Sequence, residues 1–185
     1  MTFKVEPSEK GASSTEVRAI RIPKHTRAVL EMEARARKVS VNALITDILS
    51  KFVEFDRYTD KFEYVSISRE AFKAIVEKLD DASISKAGSE VGRRLPKEIA
   101  HFWFSTLNLE TFLSFLSVFC KYAKLAQYDV KVDGATYVIA LYHAMGIKWS
   151  MFLRGYFEEA ILAIVGVRAK SEVSTDMVLL RFTLE

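Results

Sequence analysis

The hydrophobic pattern changes period twice within the first third of the chain. Ile20 and Ile22 flank Arg21, an alternation that predicts a short β-strand from Val17 to Ile22, ending at Pro23. A first helix is expected from about Lys24 to Arg37, with Leu30 and Ala34 turned inward. Ser40 is a good helix N-cap. A second helix is expected from Val41 to about Asp56. Val41, Leu44, Ile45, Ile48, Leu49, Phe52 and Val53 recur on it at i, i+3 and i+4.

Beyond residue 60 the pattern predicts a mixture of helices and strands. KFEYVSI, residues 61–67, alternates like a strand, and Ser68 caps a helix running to about Leu79. A polar segment holding Gly88 and Gly92 follows and reads as a helix with a break. Pro96 suits the first turn of a new helix, with Ile99, Phe102 and Trp103 apolar. Asn108 caps the next, where Leu109, Phe112, Leu116, Phe119 and Ala123 form a stripe. YDVKV and ATYVIALYH flank Asp133-Gly134, a favoured two-residue hairpin turn. Gly146 precedes a long amphipathic helix, Ile147 to Val165, and two strand-like runs follow. In the last, Val178, Leu180, Phe182 and Leu184 alternate with Met177, Leu179, Arg181 and Thr183. The expected fold class is α+β. Residues 1–15 read as a disordered arm, 16–58 as a small N-terminal module and 61–185 as an α+β domain. The junction at 55–60 has no Gly/Pro/Ser linker, so the second helix is expected to run almost directly into the second domain.

A strand and two helices in some 40 residues are too few to bury a core alone. A lone strand also leaves an unpaired edge. Both difficulties vanish if two copies pair their strands and interlock their helices. In this arrangement, and in the interval between Pro23 and Ser40, the stretch resembles the ribbon-helix-helix (Arc/MetJ-like) family of DNA-binding proteins. The family often has glycine two residues before the serine; here that position is Lys38. The resemblance covers about residues 16–56 and says nothing of the rest. It implies a dimer whose paired strands enter the DNA major groove. Ile20 and Ile22 would then face the dimer core, with Val17, Ala19 and Arg21 toward the groove. Arg21 is the best base reader, since its guanidinium reaches guanine O6 and N7 together, and Ala19 would meet a thymine methyl. Arg18 has core parity and would bend out to a phosphate. Ser40, Val41 and Asn42 open the second helix, whose free N–H groups would clamp a phosphate. Lys24 and Arg27 would add phosphate contacts.

Charge sharpens this picture. The chain carries a net +3, and residues 1–58 hold 11 Lys/Arg against 8 Asp/Glu. Residues 59–185 hold 16 of each, so the whole excess lies in the N-terminal module. A polyanionic partner would bind there. Half of the residues are hydrophobic and 12% are aromatic, enough for a sizeable core. No uncharged apolar run reaches membrane-spanning length, and residues 1–16 carry no apolar leader segment. A single cysteine, Cys120, forms no intramolecular disulfide framework. A cytoplasmic protein of prokaryotic type is expected.

The chemistry-bearing motifs are missing: there is no GxGxxG, GxxxxGK[ST], CxxC or HExxH. His101, Cys120 and His143 are the residues that would converge on a metal, but no spacing demands it. No metal, cofactor or catalytic residue is assigned. The expectation is a dimeric, sequence-specific transcriptional regulator, such as a repressor. Its C-terminal domain would sense a small-molecule ligand or drive further oligomerisation. The alternative is an antitoxin or partition-type adaptor whose C-terminal domain grips a protein partner.

Overall fold

The computed structural model describes residues 16–59 and 61–184. The expected disordered arm, residues 1–15, lies outside the described residues. The chain divides into two compact units, with the boundary between Val65 and Ser66.

In the N-terminal unit, α1 (Lys24–Arg37) and α2 (Val41–Lys51) pack through the buried Ala34 and Leu44. α1 ends because Lys38 enters the left-handed region at φ 57°, ψ 40°. There its N–H donates to the Arg35 carbonyl at 3.1 Å, and the Val39 N–H donates to that of Ala34 at 3.0 Å. These two bonds make a Schellman closure around a lysine, where glycine is the usual occupant. α2 does not stop at Lys51. It passes through a π-helical turn, Phe52–Asp56, into a last short turn, α3 (Arg57–Thr59). In the wider π turn, residues five apart come together, and Lys51 pairs with Asp56 at 3.0 Å.

Residues 16–22 take no strand structure. A strand is held by its ladder partner, and none of the described residues supplies one. The segment 61–67 is likewise a turn followed by unpaired chain rather than a strand.

The C-terminal unit begins with α4 (Arg69–Val76), capped by Ser68, whose Oγ accepts from the Ala71 N–H. α5 (Asp81–Phe104) is one unbroken helix. Neither Gly88 and Gly92 nor Pro96 interrupts it, contrary to the sequence expectation. The proline costs about 3 kcal/mol in a helix interior. Here its ring is fully buried, as are Ile99 and Ala100 beside it, so packing offsets that cost. α6 (Leu109–Val118) is capped by Asn108 and ends in a second π-helical turn, Phe119–Ala123.

Four strands form one antiparallel sheet: β1 (Gln127–Asp133), β2 (Thr136–Tyr142), β3 (Lys170–Ser174) and β4 (Met177–Thr183). Their spatial order is β1-β2-β4-β3. The Asp133↔Thr136 pair closes the first hairpin, so its two-residue turn is Gly134-Ala135, one position later than the sequence suggests. Gly134 alone has positive φ, which is the pattern of a turn with glycine at its first central position.

α7 (Ile147–Val165) crosses between β2 and β3 and sits at the centre of the unit. Its flanking glycines, Gly146 and Gly166, both have positive φ. One side of α7 meets α5 and another meets the sheet, and its residues Leu153, Phe157, Ala160 and Ile161 are fully buried. Val178, Leu180 and Phe182 share the inner sheet face with Ile139 and Leu141. Phe112 from α6 meets Phe182 edge-on at 6.4 Å.

Candidate nucleic-acid interface

The residues that sequence reasoning places on DNA fall at two local sites. Val17, Arg18, Ala19 and Arg21 lie in the exposed segment that precedes α1, and Val17 is 95% exposed. Lys24 and Arg27 occupy the first turn of α1. Ser40, Val41 and Asn42 form the start of α2.

The start of α2 is a built N-terminus. The Ser40 backbone is extended, and its Oγ accepts from the Ala43 N–H at 3.1 Å. No acidic side chain occupies the first turn. The remaining first-turn N–H groups and the helix dipole make this end electropositive. The cap bond forms whether or not an anion docks.

The basic side chains sort into two groups. Arg18 pairs with Glu16 at 2.6 Å, and Arg27 with Glu31 at 2.8 Å. Arg35 lies 4.0 Å from Glu31, and Arg37 lies 2.7 Å from Glu33. These pairs are largely exposed, so each is worth well under 1 kcal/mol and opens readily to a stronger anion. Arg21, Lys24 and Lys38 have no carboxylate partner among the described residues. Lys38, which stands where the ribbon-helix-helix family often has glycine, puts a cation in the turn leading to the start of α2.

The second feature of this unit is apolar. Ile48, Leu49, Phe52 and Val53 from the α2 stripe are each 49–58% exposed, and Ile20 is 63% exposed. Only Leu44 of α2 is buried, with Phe55 of the π turn, which meets Tyr64 edge-on at 5.7 Å. One chain therefore covers one side of the stripe and leaves the other open.

The C-terminal unit holds one constellation that the sequence did not suggest. Ser150 Oγ lies 3.0 Å from His143 Nε2, and His143 Nδ1 lies 3.8 Å from Asp176 Oδ1. The order Ser, His, Asp resembles a nucleophilic triad, but the hydrogen bonds run otherwise. The Met145 N–H donates to Nδ1 at 3.3 Å, so the ring proton sits on Nε2 and points at Ser150. Ser150 in turn donates to the Ser174 carbonyl at 2.6 Å and is fully buried. Asp176 accepts from the Gly146 N–H at 2.9 Å instead of orienting the imidazole. A base that cannot take the serine proton activates nothing. The network ties the β3–β4 turn to the start of α7. Burial lowers the His143 pKa below its ordinary value, with Asp176 acting weakly in the opposite direction.

His101 is exposed and Cys120 is buried, its thiol pushed up to about 12 by desolvation. Among the described residues, no three His, Cys, Asp or Glu side chains stand close enough to hold a metal. Among them, too, no single helix is long and apolar enough to cross a membrane. α5 and α6 reach that composition together, but they meet at 100° and their apolar faces form the core.

No protein-family model matches the chain, and no curated protein matches it.

Proposed function

We propose that this protein is a dimeric, sequence-specific DNA-binding regulator. Two copies would join through residues 17–22 and the α2 stripe, and the paired segments would enter the major groove. The observation that carries this reading is the open side of α2. Ile48, Leu49, Phe52 and Val53 are half exposed on a helix that already packs on α1. An apolar face of this kind is characteristic of an unsatisfied interface. The basic segment lies on the same unit, with Arg21, Lys24 and Lys38 free of carboxylate partners among the described residues. Arg21 would read bases, while Lys24, Arg27 and the α2 N-terminus around Ser40 would hold phosphates. The C-terminal unit has its own core and would supply ligand sensing or further assembly.

Binding of the purified chain to genomic DNA fragments across a salt series tests the reading. A saturable shift on a few fragments is expected, with the association constant falling steeply as salt rises. Absence of binding at low salt would overturn it.

A further inference from the structure

The outer face of the sheet carries an ordered charge pattern that makes no ion pair among the described residues. Cross-strand register sets its side chains in rows. One row reads Asp129, Ala140, Leu179, Glu172 across β1, β2, β4 and β3. The next outward row, two residues along each strand, reads Lys131, Val138, Arg181, Lys170. The first row is acidic at both edges with Ala140 and Leu179 between, and the second is basic at both edges with Val138 and Arg181 between. The five charged residues are exposed, and the apolar three are half-buried.

Two further observations mark this pattern as unsatisfied among the described residues. Elsewhere in the unit, surface charges find partners, as Arg93 does with Glu159 and Lys73 with Glu77. Asp129, Lys131, Lys170, Glu172 and Arg181 make no ion pair among the described residues. Moreover, Lys170 stands directly opposite Arg181 on the neighbouring strand. Like charges in that position destabilise a sheet.

We propose that this face docks on the same face of a second copy of the chain. The two-fold axis would lie in the plane between the sheets, across the strands, midway between the acidic and basic rows. That operation lays each strand over its own counterpart and exchanges the rows. Glu172 then meets Lys170 of the other copy, Asp129 meets Lys131, and Ala140 meets Val138. The carboxylate of Glu172 also enters the field of the crowded Lys170–Arg181 pair. The alternative in-plane axis, along the strands, would set Asp129 against Glu172 and Lys131 against Lys170, so charge selects between them. A polyanion is disfavoured because the acidic row flanks the basic one. Four strands about 4.8 Å apart, rising about 3.3 Å per residue, give a footprint on the order of 400 Å² per copy. That is small for a protein interface, so the contact is weak and concentration-dependent.

The test is the weight-average mass of the full chain by sedimentation or light scattering, from about 1 to about 200 µM, a range spanning dissociation constants of weak contacts. Lys170→Glu and Glu172→Lys each create like-charge contacts twice in a two-fold interface. Each is expected to halve the mass reached by the parent, with dissociation constants raised about 10-fold or more. In an equimolar mixture of the two variants, both contacts between unlike partners again join a carboxylate to an ammonium, and the parental mass is expected to return. The same halving is expected in a Phe52→Glu background, so failure of pairing through α2 is read separately. Parental mass in both single variants overturns the proposal. So does a mixture that stays at the low mass. A parent no heavier than its variants throughout the range also overturns it and leaves the face to a different protein.

Discussion

Gly92 on α5 lies so close to Tyr156 on α7 that a methyl group at residue 92 would stand 2.3 Å from the Tyr156 carbonyl oxygen. Gly88 stands in the same relation to Phe152, and Gly155 fits against Ser85 and Ser89 of α5. Backbone cannot yield as a flexible side chain can. Gly92→Ala is therefore expected to destabilise the C-terminal unit by about 3 kcal/mol, near the upper end for overpacking. Gly134→Ala has open space around it and only the cost of positive φ, about 1 kcal/mol. Urea unfolding of both variants measures the contrast, and equal losses would show that α5 and α7 can separate freely.

The buried His143 makes a pH-dependent contribution. Its folded pKa is lowered, so the unfolded chain binds the proton more readily. The stability it contributes is complete above the ordinary histidine value, about 6.5, and is lost as pH falls through the depressed folded value. A proton on Nδ1 would also oppose the Met145 N–H. Melting temperatures across pH 8 to 4.5 are expected to fall more steeply for the parent than for His143→Gln. Parallel curves would remove His143 as a cause.

Lys38 holds a left-handed conformation that glycine adopts without strain. Lys38→Gly is expected to raise the stability of the N-terminal unit by about 0.5–1 kcal/mol. If Lys38 also touches phosphate, the same variant weakens DNA binding and lowers the salt slope by about 1. Thermal unfolding and a salt titration separate the two effects, and a loss of stability would contradict the first.

Phe52 is 55% exposed in one chain. Phe52→Glu places a charge on the open side of α2 and is expected to abolish both N-terminal pairing and DNA binding. The C-terminal unit should keep its own melting transition. DNA affinity unchanged in this variant would separate binding from pairing through α2.

Arg21→Ala is expected to cost about 1–3 kcal/mol on a specific site and to relax discrimination there. Ser40→Ala removes the Ala43 cap bond. It is expected to cost about 1 kcal/mol of stability and to weaken all DNA sequences alike. Binding of both variants to specific and random duplexes distinguishes a base reader from a phosphate holder. Equal losses on both duplexes for Arg21→Ala would remove it as a reader.

The parts that were legible in the sequence are those whose causes are local. Pro23 precedes α1, Ser40 and Asn108 cap the helices that follow them, and Gly146 precedes α7. Most of the misreadings along the chain involve partners far away in it. Gly88 and Gly92 looked like breaks in a helix and are instead the floor against which α7 lies. Pro96 looked like a start and is buried mid-helix. Residues 61–67 alternate like a strand, but no partner edge pairs with them. The His143–Ser150–Asp176 network joins residues whose spacing carries no motif. At the candidate interface, the cap at Ser40 was legible because it is local. The engagement of Arg18 and Arg27 with glutamates was also local, at two and four residues' distance, and was passed over.

The strand order β1-β2-β4-β3 has a kinetic meaning. β4 is last in chain order yet lies inside the sheet, between β2 and β3. The hairpin β1–β2 can close early through the Gly134 turn, but the inner edge of β2 has no partner until β4 arrives. During synthesis Ile139 and Leu141 must wait, with that edge open, while α7 and β3 emerge. The growing chain is then most vulnerable to pairing with a neighbour, and a chaperone would find its hold in β2.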